Sequence, residues 1–129
     1  MPYSVSVDER RHLVIVVVEG VVDAAVAMPM VTDARAQAGA RGFNILYDFH
    51  AAVPGDIKTG DVFWFPRRIP ALATAAARRV RIALLYPAAQ QEFARFWETT
   101  FRNAGLNARA FEDEATALAW LGESGAAPD

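Results

Sequence analysis

Residues 80–86 read VRIALLY, a short apolar run rich in residues favoured in β-strands, and Pro87 ends it. A helical pattern comes next, in which four aromatic residues recur at the spacing of one core-facing stripe: Phe93, Phe96, Trp97 and Phe101. Gly105 then provides a natural C-terminal stop for this helix. A buried strand followed by an amphipathic helix is typical of α/β proteins, in which helices connect parallel strands.

The same alternation extends in both directions along the chain. Further apolar runs predict strands near residues 3–7, 13–19, 43–48 and 107–111. The first two strands are close enough to form an antiparallel hairpin. Helical patterns follow Asp23 and Asp113, and either carboxylate can act as an N-cap. Pro29 predicts a kink in the first of these helices or a start at that residue, and residues 50–60 are predicted to form a loop.

The fold class that follows is α/β, a mixed and mostly parallel five-stranded sheet with about four helices. The length of 129 residues fits one domain, which we place at residues 1–122, followed by a flexible tail at 123–129. A net charge of -2 argues against a nucleic-acid binder, which would carry clustered basic residues. The chain has no cysteine, so disulfides and thiol chemistry are excluded.

The N-terminal residues lack the apolar core of a signal peptide and pass directly into a strand pattern. The longest apolar run, residues 13–18, is shorter than the ~20 residues needed to span a bilayer. We therefore expect a cytoplasmic protein without a membrane span. No phosphate-binding loop, nucleophile elbow or zinc-ligand spacing is present, so no cofactor and no metal are expected.

Three local patterns resemble a known family. The strand predicted near residues 43–48 ends in Tyr47-Asp48-Phe49, and the strand at 80–86 contains the run RIALLYP. The C-terminal part of the chain carries Phe111, Asp113 and the run Ala117–Leu121. These patterns, together with the order of the elements, look like the STAS/SEC14-type, SpoIIAA-like bacterial proteins. The resemblance covers nearly the whole chain and implies the fold of the anti-sigma-factor antagonists.

In the antagonists of that fold, a serine in an Asp-Ser-Ser-Gly turn after strand 3 is phosphorylated, and the added charge alters a protein interface. The corresponding turn here looks like residues 57–60 (IKTG), with Thr59 as its hydroxyl. Ile57 and Lys58 replace the aspartate and the first serine. We therefore expect that Thr59 is not a regulatory phosphorylation site, and stoichiometric phosphate on Thr59 in protein from its native cell would contradict this.

Asp48 and His50 are the most enzyme-like pair in the chain. They lie at the carboxyl end of a strand predicted to be central in the sheet, where α/β proteins often hold functional groups. A histidine beside an aspartate can act as a general base. However, residues i and i+2 of a strand share a face, so this spacing needs no catalytic explanation. We expect no catalytic residues.

The segment 61–72 (DVFWFPRRIPAL) is the most unusual in composition. Phe63, Trp64 and Phe65 are consecutive, and a helix turns by about 100° per residue, so three neighbours exceed one core-facing stripe. We expect Trp64 to be exposed. Arg67 and Arg68 follow, and aromatic residues with arginine are enriched at protein interfaces. The sequence predicts an interface here, with another protein or with a second copy; packing in the core is the alternative.

The function that these patterns favour is a non-enzymatic binding or regulatory module that acts through protein–protein contacts. The alternative is a small apolar-ligand or lipid-binding protein, and an enzyme using Asp48 and His50 is third. A carrier needs an apolar cavity of several hundred Å3, whereas an adaptor needs an exposed apolar patch.

Overall fold

The structure is a computed structural model that describes residues 2–55 and 74–126. Its elements follow in chain order as β1 (Tyr3–Asp8), β2 (Leu13–Val22), α1 (Ala24–Arg41), β3 (Asn44–Pro54), α2 (Ala75–Arg79), β4 (Arg81–Leu85), α3 (Gln91–Asn103), β5 (Asn107–Phe111) and α4 (Glu114–Ala126). A short 3-10 turn over Ala88–Gln90 precedes α3.

The five strands form one sheet in the order β1-β2-β3-β4-β5. Strand β1 is antiparallel to β2, and the other neighbouring pairs are parallel. Each parallel step passes through a connection that includes a helix, as is usual for parallel strands. The predicted mixed α/β sheet with an antiparallel hairpin at its edge is therefore confirmed.

The predicted caps of the first and last helices are confirmed, whereas one predicted helix start is wrong. Asp23 caps α1, because its side chain accepts a hydrogen bond of 3.0 Å from the backbone N–H of Val26. Pro29 lies inside α1, so the predicted start at that residue is wrong. Asp113 accepts hydrogen bonds from the N–H and the hydroxyl of Thr116, at 2.9 and 2.7 Å. Helix α4 continues past Gly122 to Ala126, so it overlaps the tail predicted from residue 123.

Strand β3 is longer than predicted. It continues to Pro54, and the predicted loop over 50–60 is wrong for residues 50–54. The reason is the neighbouring strand, since β2 also continues to Val22, and Val21 pairs with Val53 there. Gly20 lies within this extension at a φ of 71°. The turn residues in the sequence therefore do not end either strand.

The sheet has a hydrophobic core on each face. The larger core lies between the sheet and helices α1 and α3, and includes Val16, Tyr47 and Trp97. The smaller core lies under α4, where Leu46 and Leu85 of the sheet pack with Ala117 and Leu121 of the helix. Tyr47 is fully buried, and burial raises the pKa of its phenol.

The aromatic residues of α3 divide between core and surface. Trp97 packs at a ring-centroid distance of 6.3 Å from Phe93 and 5.8 Å from Phe101. Phe96 is 38% exposed, so the expectation that all four aromatics face the core is wrong for this residue. The buried stripe passes instead through Ala94, Trp97 and Phe101.

Helix α3 also closes one edge of the sheet. Glu98 accepts a hydrogen bond of 2.6 Å from the N–H of Ala110, and the Nε of Arg102 donates to the carbonyl of Ala108 at 2.7 Å. These side chains therefore form hydrogen bonds with main-chain groups of β5 that a further strand would need for pairing. An edge covered in this way resists pairing with another chain.

Candidate binding surface

Asp48 and His50 lie at an irregularity in the pairing of β2 with β3. Asp48 pairs with Val17, but Ala51 pairs with Glu19, so β3 holds one residue more than β2 between these positions. This is the pattern of a β-bulge, which leaves main-chain groups outside the ladder. The carboxylate of Asp48 accepts a hydrogen bond of 3.0 Å from the backbone N–H of His50. The same Oδ1 lies 2.9 Å from the Nδ1 of the His50 ring.

Both contacts of the Asp48 carboxylate are local, one to the main chain and one to the ring of His50. The His50 and Asp48 side chains are 47% and 29% exposed, so water screens their interaction. In the described ranges, no group of three or more acidic or histidine side chains is placed to hold a metal ion.

Three valines are exposed near this bulge: Val17, Val21 and Val53, at 36%, 58% and 51%. We call them the valine surface. Val17 pairs with Asp48, and Val21 pairs with Val53, so they lie along the carboxyl halves of two neighbouring strands. The run of β-branched residues at 13–18 predicts a strand buried on both faces, and this is wrong for Val17, although Val16 and Val18 on the opposite face are buried. Helix α4 packs over Leu13 and Leu46, closer to the start of β2 and β3.

The other predicted site residues lie outside the described residues. They are Thr59 and the interface candidates Phe63, Trp64, Phe65, Arg67 and Arg68. The interface therefore remains a prediction from sequence.

The apolar void in the larger core bears on the alternative of a lipid carrier. It is lined by side chains of β2, α1, β3, β4 and α3, among them Val22, Met30 and Trp97. Its volume is about 10 Å3, which is room for one water molecule. A carrier needs a cavity of several hundred Å3, so this void does not accommodate a lipid.

One buried charged residue was not anticipated. Arg35 is 5% exposed on the buried stripe of α1, which also carries Val31, Ala34 and Ala38. Its Nε and Nη1 atoms are buried and have no hydrogen-bond partner among the described residues. The helical spacing could have indicated this burial, since Arg35 occupies a core-facing position of an otherwise apolar helical pattern.

The arrangement of the elements defines an α/β protein of the SpoIIAA-like fold. A crystal structure of an uncharacterised protein of the DUF3478 family from Shewanella loihica PV-4, described as having a SpoIIAA-like fold, superposes on this chain with a TM-score of 0.56. The match covers 92% of this chain and 91% of that protein at 15% sequence identity. The resemblance found in the sequence is thus confirmed at the level of the fold.

Comparison by sequence adds no further relative. No protein-family profile matches the chain, and no curated protein matches it. Among the described helices, none is long and apolar enough to cross a membrane.

Proposed function

We propose that this protein is a cytoplasmic, non-enzymatic binding and regulatory module that acts through contacts with another protein. The observation that carries the proposal is the valine surface, since exposed apolar side chains grouped on one part of a sheet are typical of interaction sites. The SpoIIAA-like fold supports the proposal, because its antagonists act through protein interfaces. The module lacks their phosphoserine switch, since Ile57 and Lys58 replace the acidic and hydroxyl residues of that turn.

The partner that we propose is a second copy of this chain. An apolar surface binds an apolar counterpart, and we propose that Phe63, Trp64 and Phe65 provide it. Three consecutive aromatic residues do not fit within one core-facing stripe of a helix, so at least one of them is expected to be available to a partner. Arg67 and Arg68 would form the polar rim of such an interface. Aromatic anchors surrounded by a polar rim carry most of the binding energy in protein interfaces.

Sedimentation velocity over a range of concentrations tests this proposal. The wild type is expected to dimerise, and Trp64→Ser and Val53→Asp are each expected to weaken dimerisation by about tenfold or more. The first change removes the aromatic anchor, and the second places a carboxylate where the partner would exclude water. Phe96→Ser is the control, because Phe96 is also exposed but lies on α3, and its dimerisation should equal that of the wild type.

Thermal unfolding of each variant must remain cooperative for this comparison to hold. A wild type that stays monomeric at the highest concentrations would contradict the proposed self-association. Equal weakening by Phe96→Ser would contradict the location of the interface.

We expect Asp48→Asn and His50→Ala to leave dimerisation within about fivefold of the wild type, because exposed ion pairs contribute about 1 kcal/mol or less. The asparagine oxygen can still accept the hydrogen bond from the His50 N–H, so the bulge should persist. The same sedimentation measurement applies, with circular dichroism as the control for folding. A loss of orders of magnitude in a well-folded variant would contradict this expectation and give the pair a role beyond the bulge.

A further inference from the structure

We propose that a pocket beside Arg35 binds a small oxyanion, a carboxylate or phosphate group attached to a compact apolar body. The pocket has a volume of about 320 Å3 and opens between the C-terminal half of α1 and the start of α2. This volume lies within the usual range for small-molecule sites. The inference does not depend on the proposed self-association.

The guanidinium group of Arg35 lacks a compensating partner among the described residues. Two of its three nitrogen atoms are buried without a hydrogen-bond partner, and no carboxylate in residues 2–55 or 74–126 forms an ion pair with it. Burial lowers the pKa of Arg35, but an arginine side chain remains protonated at neutral pH. An unpaired buried charge is strongly destabilising, so a missing partner is expected to be an anion.

The described surroundings of the guanidinium group do not neutralise it. Among the described residues, Tyr47 lies close enough to Arg35 to interact with it electrostatically. Since burial raises the pKa of Tyr47, its phenol stays neutral and does not compensate the charge. The positive charge therefore remains uncompensated among the described residues. A planar guanidinium presents paired N–H donors that match the oxygen atoms of carboxylates and phosphates.

The wall of the pocket suits the apolar part of such a ligand. Small residues dominate the described part of the wall, which consists of Ala36, Ala38, Gly39, Ala40, Gly42, Thr74, Ala77 and Val80 beside Arg35. A Cβ atom added at Gly39 would meet no atom within 4 Å, so the space there is open. One cation in a pocket of small apolar side chains suits a ligand with one anionic group and an apolar remainder.

The probes that test the proposal are hexanoate, its neutral analogue hexan-1-ol, and inorganic phosphate. Binding is followed by isothermal titration and by the NMR resonance of the Arg35 Nε–H. We expect hexanoate to bind and to shift this resonance, whereas hexan-1-ol should bind at least about tenfold more weakly, because it cannot form hydrogen bonds between two charged groups. Phosphate binding would identify the anionic group alone as sufficient.

Arg35→Met keeps most of the apolar stem and removes the charge. This variant is expected to weaken hexanoate binding by about 10- to 100-fold, and to unfold at a higher temperature than the ligand-free wild type, because the unpaired charge is gone. Arg10→Met is the matched control, since Arg10 is exposed in the turn between β1 and β2. Arg35→Lys keeps the charge without the planar group, so it should bind with intermediate affinity.

Each outcome decides the proposal. Binding of phosphate without hexanoate would support the oxyanion site and restrict the ligand to phosphates. Equal binding of hexanoate and hexan-1-ol, or unchanged binding in Arg35→Met, would overturn it. If Arg35→Met does not fold, the test is the Arg35 Nε–H resonance of the wild type, which should shift when hexanoate or phosphate is added. No shift of that resonance with either anion would also overturn the proposal.

Discussion

Trp97→Ala is expected to lower the free energy of unfolding by about 3–5 kcal/mol, the cost of truncating a large buried aromatic side chain. Trp97 joins α3 to the larger core, where its ring contacts Phe93 and Phe101 and lines the central void. Truncation would enlarge this void, and the rigid sheet below it cannot close the space. Because small domains are stable by about 5–15 kcal/mol, the variant should be marginally folded.

Urea denaturation followed by circular dichroism measures this loss. Phe96→Ala is the matched control, since Phe96 is the adjacent aromatic residue of α3 and is partly exposed to water. Its expected cost is about 1 kcal/mol or less, because little apolar area is removed from a buried environment. Similar losses in the two variants would contradict the assignment of Trp97 to the core.

Gly55→Ala is expected to lower the free energy of unfolding by about 3 kcal/mol, the upper end of the range for overpacking. A Cβ atom at this position would overlap the carbonyl oxygen of Val22 more closely than any ordinary contact permits. The N–H of Gly55 donates to that same oxygen at 2.9 Å. The added methyl group must therefore separate the end of β3 from the end of β2.

The control for this variant is another glycine with open surroundings. Gly39 lies on α1, and a Cβ atom there would contact nothing within 4 Å. Gly39→Ala should raise the free energy of unfolding by about 0.5–1 kcal/mol, because alanine loses less backbone entropy in a helix. Equal stability of Gly55→Ala and the wild type in urea would refute the close approach of the two strand ends.

The tertiary arrangement corrected the sequence predictions at particular residues. The bulge at Asp48 and His50 depends on how β3 pairs with β2, and no local pattern encodes the extra residue. The exposure of Val53 depends on where α4 ends its cover of the sheet. The predicted interface around Trp64 rests on composition alone, since it lies outside the described residues.

By itself, the sequence determined the order of strands and helices, the mixed sheet and the caps at Asp23 and Asp113, because these depend on periodicity and on contacts over a few residues. The tertiary structure alone decided that Phe96 is partly exposed, that β3 continues to Pro54, and that two nitrogen atoms of Arg35 are buried with no hydrogen-bond partner among the described residues. The physical reason is distance along the chain. A helical or strand pattern shows which face is apolar, but what covers that face, and how completely, depends on elements that are remote in sequence.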